Sequence, residues 1–461
     1  MAKQQSRFAA AQQAAQAGAG SGSSELMQRI FFLIGALIVY RIGTHIPVPG
    51  IDPVGIQQFF AQDGQGSIFG VLNLFSGGAL ERASLLALGV MPYISASIIM
   101  QMLTAVHPPL KQLKQEGEAG RRKISKYTKY GTVVLAFFQA LGISSAVSSQ
   151  VGANGAPLVL IDPLAFKVTA VITLVAGTMF LVWLGEQITD RGIGNGMSLI
   201  IFAGIVAGLP VAAAQTGTLI SEGSISKGFG LALIPLVLGV IALVVFVERA
   251  QRRIKINYAQ RQQGKRMMGA QSSYFPLKLN VAGVIPPIFA SSVILFPASM
   301  VTFFAPEDVS GVAGALRNVA SFMTPGNVLY SVMYVGLIFF FAFFYTALTF
   351  DPNEIADNLK KQGATVPGMR PGKQTASYID SVVGKLTFIG AFYLAFVCLI
   401  PEVLQVKFGV PFYFGGTSLL IIVIVILDLV GQVQSHLMSS QYASLMKKTN
   451  LTSSKKSGKK R

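Results

Sequence analysis

Apolar residues in this chain run on without the alternation that marks a half-buried strand or an amphipathic helix. The stretches 83–106, 168–185, 230–247, 281–305, 327–350 and 408–427 contain no Asp, Glu, Lys or Arg. A helix needs about 20 such residues to cross about 30 Å of hydrocarbon. The pattern predicts ten spans, near 26–46, 83–105, 127–147, 165–185, 193–213, 229–248, 281–304, 327–349, 383–401 and 416–438. The expected class is an all-α polytopic membrane protein.

Charged residues collect where these spans end. Arg29 and Arg41 stand near the ends of the first span, and Lys385 and Glu402 flank the short ninth; long side chains there reach the headgroups. With the N-terminus assigned to one side, the connections on that side hold 31 of the 37 Lys and Arg residues. The other side holds Arg41, Arg82, Lys167, Lys227, Arg317 and Lys407. Basic residues accumulate on the cytoplasmic side of membrane proteins, so both termini are expected in the cytoplasm.

Composition agrees with the pattern. Of 461 residues, 52% are apolar and 12% charged, with a mean hydropathy of +0.57; a soluble chain carries roughly 25% charged residues. A lone Cys398 excludes a disulfide framework, and His45, His107 and His436 lack metal-ligand spacing. No nucleotide-binding, metalloprotease or nucleophile-elbow motif is present. The sequence gives no reason to expect an enzyme, a metal or a cofactor. Residues 1–24, rich in Ala, Gln, Gly and Ser, are expected to be disordered and lack the apolar core of a signal peptide. Residues 441–461 form a basic tail. An external connection at 217–228 divides the spans into halves 25–216 and 229–440.

Three features depart from a plain bundle. Residues 67–75 are too apolar for a loop, yet about nine helical residues cover roughly 14 Å, half a bilayer core. Gly77-Gly78 then favours a break. An interfacial helix and a re-entrant segment filling a cavity both fit this pattern. Mid-depth ionisable groups, which ion-coupled transporters use, are scarce; Asp428 lies toward the cytoplasmic end of span ten. Finally, two cytoplasmic connections, 248–280 and 351–384, are longer than a link requires. The first has eight basic residues against one acid, a composition suited to topological anchoring or to gripping RNA phosphates or an acidic partner.

Several stretches are recognisable as a set. Asn73-Leu-Phe-Ser-Gly-Gly-Ala-Leu80, Gly89-Val-Met-Pro-Tyr-Ile-Ser-Ala-Ser-Ile98 and Glu116-Gly-Glu-Ala-Gly-Arg-Arg-Lys-Ile-Ser125 closely resemble the SecY family of bacterial protein-conducting channels. So do Trp183-Leu-Gly-Glu-Gln-Ile-Thr-Asp-Arg-Gly-Ile-Gly-Asn-Gly196, Ala356-Asp-Asn-Leu-Lys-Lys361 and Pro411-Phe-Tyr-Phe-Gly-Gly-Thr-Ser-Leu-Leu420. The likeness runs in order from about residue 25 to 448.

The resemblance implies two pseudo-symmetric five-helix halves around an hourglass pore in the bacterial inner membrane. It implies a pore ring of Val90, Ile94, Met197, Ile201, Ile288 and Ile421, with Val90 and Met197 departing from the family's isoleucine. The half-length segment becomes an external plug, 67–80, with Ile68, Phe69, Val71, Leu72, Asn73, Phe75, Gly77 and Gly78. Ser95, Gln101 and Asn280 fall at a lateral gate between spans two and three and spans seven and eight. Arg252, Arg253, Lys265, Arg266 and Arg370 would dock the SecA motor or the ribosome. SecE and SecG would accompany the chain, and signal-bearing polypeptides would pass through it or leave sideways into lipid. A secondary transporter is the competing reading, and an enzyme acting on lipid-linked substrates a third.

Overall fold

The computed structural model describes residues 25–63, 73, 76–149, 157–223, 226–258, 261–263, 266–268, 272–304, 327–408 and 416–457. Among them eight helices are long and apolar enough to cross a membrane, and two further apolar helices are shorter. Each predicted span falls on one of these helices.

The first half holds α1 (Glu25–Gly43), α2 (Pro53–Asp63), α3 (Met91–Val106), α4 (Pro108–Gln115), α5 (Glu118–Ser149), α6 (Pro163–Arg191) and α7 (Gly196–Ser221). The second begins with α8 (Lys227–Arg249) and strands β1 (Gln251–Tyr258), β2 (Arg261–Gln263), β3 (Arg266–Met268) and β4 (Ser272–Lys278). It continues with α9 (Ile285–Phe304), α10 (Val328–Thr349), α11 (Pro352–Lys361), β5 (Ala364–Thr365), α12 (Lys373–Phe408) and α13 (Gly416–Ser457).

Side-chain caps start the helices that emerge from loops. Asp162 accepts from the Leu164 and Ala165 amides, both at 3.2 Å, and Asn195 from Met197 at 3.1 Å. Ser226 accepts from Phe229 at 3.3 Å. Each bond satisfies a first-turn N–H that has no partner within its helix.

Two helix ends differ from expectation. The second span is helical only from Met91; residues 77–90 form consecutive turns, with Gly77, Gly78, Ala83 and Gly89 at positive φ. That conformation interrupts the regular helical bonding an apolar run would otherwise propagate. The connection placed at 217–228 is also shorter, because α7 continues to Ser221 and α8 starts at Lys227.

In the first half α3 packs on α5, α5 on α6 and α6 on α7; in the second, α9 packs on α10, α10 on α12 and α12 on α13. Contacts between halves run from α9 to α3 and α5, and from α13 to α7. One apolar cluster spans both halves, joining Leu33, Val90 and Ile205 to Phe289, Ile338 and Leu420. A second, around Phe166 and Leu174, belongs to the first half.

The helical class holds, with a small sheet added on the side assigned to the cytoplasm. Its order is β4-β1-β5, all antiparallel, so the two long connections meet in one unit: β1 and β4 from the first, β5 from the second. Ile254 and Ile256 on β1 and Leu277 on β4 are buried with Leu359 of α11 and Ile379 and Val383 of α12. A separate ribbon pairs β2 with β3.

Alternation along β1 yields a test. Ile256→Asp places an unpaired charge in this cluster and should cost about 3 kcal/mol, exposing residues 250–280 to protease in vesicles with that face outward. Lys255→Asp, on the exposed face, should leave the digestion pattern unchanged.

Candidate functional site

The six expected ring residues come from four helices. Val90 immediately precedes α3 and Ile94 lies in its first turn, so the two share a face. Met197 and Ile201 repeat that spacing at the start of α7; Ile288 lies at the start of α9 and Ile421 in the second turn of α13. Val90, Ile94, Ile201 and Ile421 are buried, Met197 and Ile288 partly so, and all six belong to the cluster that joins the halves. Met197 leans aside: its sulfur lies against the bare Cα of Gly185 on α6.

The expected gate helices are adjacent, with α9 against both α3 and α5. Its polar residues do not meet as a set. Gln101 Nε2 donates to Ser97 Oγ on its own helix at 3.2 Å, and Ser95 is buried on α3. Asn280 clamps the turn before α9: its Nδ2 donates to Glu248 Oε1 at 2.7 Å and the Gly283 carbonyl at 3.1 Å, while its Oδ1 accepts from the Gly283 amide at 3.1 Å. Asn280 thereby ties the turn before α9 to Glu248 in the last turn of α8.

Of the expected plug, Asn73, Gly77 and Gly78 are described; Ile68, Phe69, Val71, Leu72 and Phe75 lie outside the described residues. The described end is anchored from several directions. Tyr40 Oη donates to the Ser76 carbonyl at 3.2 Å and Arg41 Nη1 to the Gly77 carbonyl at 3.0 Å. Asn73 Oδ1 accepts from the Glu81 amide at 3.0 Å, and its Nδ2 donates to Glu81 Oε2 at 3.2 Å. Gly77 has φ +69°, and a Cβ there would stand 2.7 Å from Gly204 Cα on α7. Bare backbone thus meets bare backbone.

With this geometry in place, the chain can be set beside known proteins. A sequence model of the SecY family matches residues 84–430. Protein translocase subunit SecY of Vibrio cholerae is 57% identical over 433 residues, covering 94% of this chain and 96% of that one. The subunit of the same name in Escherichia coli K12 is 57% identical over 435 residues, with the same coverage. The chain belongs to the SecY family. A solved structure described as that of a protein conducting channel covers 90% of this SecY-family chain and 93% of its own, with a TM-score of 0.66 at 18% identity. Sec61 in a canine ribosome-channel complex gives a TM-score of 0.62 at the same identity and coverage. At that identity the likeness is one of fold.

Among the expected docking residues of this SecY chain, Arg252, Arg253 and Arg370 are exposed. Arg370 is held by its backbone: its amide donates to Gln374 Oε1 at 3.3 Å and its carbonyl accepts from Thr375 Oγ1 at 3.0 Å. Arg252 pairs in register with the buried Leu277 and shares the face that carries Ile254 and Ile256, at its exposed end. Lys265 lies outside the described residues, and of Arg266 the structure describes only its place in β3. The conspicuous acid Glu186 accepts from Lys129 at 2.7 Å, which ties α6 to α5.

Sequence reasoning missed Tyr40, Arg41 and Gly204 as residues that hold the Ser76–Gly77 backbone. Arg41 reads as an interfacial anchor, and only the Gly204-x-x-x-Gly208 spacing hints at close backbone approach. Gly77→Ala should destabilise the purified protein in detergent by more than about 1 kcal/mol, from positive φ and from the clash with α7. Gly78→Ala, with φ +79° and its nearest neighbours the Arg82 guanidinium atoms at 3.8–3.9 Å, incurs the strain alone and should lower the unfolding midpoint less.

Proposed function

We infer that this chain is a protein-conducting channel that passes unfolded polypeptides across the bacterial inner membrane. The observation that carries this reading is the convergence of aliphatic residues from α3 and α7 of one half with those from α9 and α13 of the other in one cluster. A narrow apolar waist resists water and ions when empty. It fits around a passing chain without recognising any side-chain sequence, because aliphatic groups contribute no directional bonds.

In this reading residues 67–80 seal the external vestibule, anchored through Ser76 and Gly77 to α1 and α7. The seam of α9 with α3 and α5 is the sideways exit for signal sequences and membrane segments. A signal segment gains about 0.8 kcal/mol per buried methylene by partitioning there. SecE and SecG accompany the chain, both termini face the cytoplasm, and SecA or the ribosome docks on the sheet through Arg253 and Arg370. Energy comes from the docked partner; the chain itself performs no chemistry. The two halves, 25–216 and 229–440, move about the connection between α7 and α8.

Two experiments test the proposal. Ile94, Ile201, Ile288 and Ile421 are each replaced by Cys in a Cys398→Ser background. All four should crosslink to a cysteine-bearing substrate arrested in transit, whereas cysteines at exposed Phe246 of α8 or Phe392 of α12 should not. Changing the same four to Asp should preserve abundance and raise ion conductance if they line a space water can enter. If they are sealed packing residues, an unpaired charge costing about 3 kcal/mol or more should deplete the protein instead.

Charge reversal tests the docking face. Arg253→Glu and Arg370→Glu should each weaken partner binding and slow translocation with membrane insertion intact, and added salt should weaken the unmutated contact in the same direction. Unchanged binding in both variants would reduce these connections to topological anchors.

A further inference from the structure

Lys114, in the last turn of α4, reaches the other half of the molecule. Its Nζ donates to the Leu348 carbonyl at 3.2 Å, at the end of α10 and 234 residues along the chain. Helix α4 joins α3 to α5 and packs along both, while α10 packs on α9. The bond therefore spans the seam of α9 with α3 and α5, at the end where both α3 and α10 stop.

The sequence leaves this carbonyl open. In a continuing helix it would accept from the amide of residue 352, but Pro352 has no N–H. The Phe350 amide donates to Thr346 instead. A carbonyl left over at a helix C-terminus lies at the negative end of the macrodipole, and a lysine ammonium suits it as a cap. Lys114 is exposed and forms no salt bridge among the described residues. No side chain of α4 is buried, so apolar packing does little to hold this helix against the second half.

Elsewhere the halves are joined differently. The Gly194 amide, in the turn between α6 and α7, donates to Gln432 Oε1 of α13 at 2.7 Å. Apolar contacts back that bond: α13 packs on α7, and a Cβ on Gly194 would stand 3.0 Å from Leu199 Cδ1 and 3.8 Å from Leu429 Cδ1. The Lys114 link has no such backing, and it is the easier of the two to break.

We propose that Lys114 and the Leu348 carbonyl form a latch across the rim of the seam, closed in this structure and broken whenever the seam parts. The proposal rests on the reading of that seam as the sideways exit. One ammonium on a helix end shifts an equilibrium by about two- to fivefold. That bias favours the shut seam when it is empty, yet transfer of about one methylene group into the seam offsets it. The latch therefore raises slightly the hydrophobicity that an entering segment needs.

The test uses the full chain, with the membrane partners that purify with it, in lipid nanodiscs. Spin labels are placed on cysteines at exposed Val106 of α3 and Phe343 of α10 in a Cys398→Ser background, and pulsed electron–electron resonance reads the distance between them. Lys114→Met, which removes the donor and keeps an apolar stem, should raise the ratio of longer to shorter distances by about two- to fivefold. Lys114→Arg should keep the original distribution. So should Lys111→Met, which removes an equal charge from the same helix. An unchanged distribution in Lys114→Met, or the same change in Lys111→Met, would overturn the latch. Transport of a substrate with a shortened apolar signal supplies a second readout and should rise in Lys114→Met. Longer distances with unaltered transport would support the latch and count against the seam as the exit.

Discussion

Backbone N–H and C=O groups in hydrocarbon have no water to turn to, and the architecture follows from satisfying them. Nearly every segment at membrane depth does so within a helix. The segment 77–90 cannot, because its positive-φ residues interrupt the ladder. It is tolerated because its groups find partners nearby. The Ser76 and Gly77 carbonyls accept from Tyr40 and Arg41, the Gly78 amide donates to the Asn73 carbonyl at 2.9 Å, and the Val48 amide donates to the Ala83 carbonyl at 2.9 Å. The irregular stretch is thus buried in protein rather than exposed to lipid. Its contact with α7, glycine against glycine, ties it to the same helix that supplies Met197 and Ile201.

The small sheet answers a different demand. The first long connection is strongly basic, whereas the second, 351–384, balances four acids against four bases, so charge does not hold the two apart. A shared apolar layer of Ile254, Ile256, Leu277, Ile379 and Val383 joins them. Strand alternation then sorts the side chains: Ile254 and Ile256 are buried on one face, while Arg253 and Lys255 are exposed on the other.

Spans were legible because run length maps directly onto bilayer thickness, and all ten predicted runs coincide with helices. Their ends were less so. Helices α5, α12 and α13 continue through polar residues such as Arg121, Gln374 and Gln434, where hydropathy falls but backbone bonding persists. The sheet was hidden by brevity, since β5 has two residues and pairs with a strand about a hundred positions earlier. Of the ring, sequence reasoning without the family resemblance could say nothing, because Ile94 or Ile421 in an apolar helix is also what packing requires. Tyr40 and Arg41 escaped notice because their partners are carbonyls 36 residues away, and carbonyls carry no side-chain signature. Asn280, expected at a lateral gate, lies in the turn before α9, and its bonds run to Glu248 and Gly283.

The order β4-β1-β5 has a consequence for how the molecule is made. The middle strand, β1, is paired on one side as soon as β4 has been synthesised. Its other edge stays open until Ala364 and Thr365 emerge, after α9 and α10 have been delivered to the membrane. An open strand edge is adhesive, so during that interval the nascent chain carries an unfinished sheet beside the ribosome that is making it. Closure of the sheet by β5 thus follows the synthesis of α10 and precedes that of α12 and α13, a record of biosynthetic progress written into strand order.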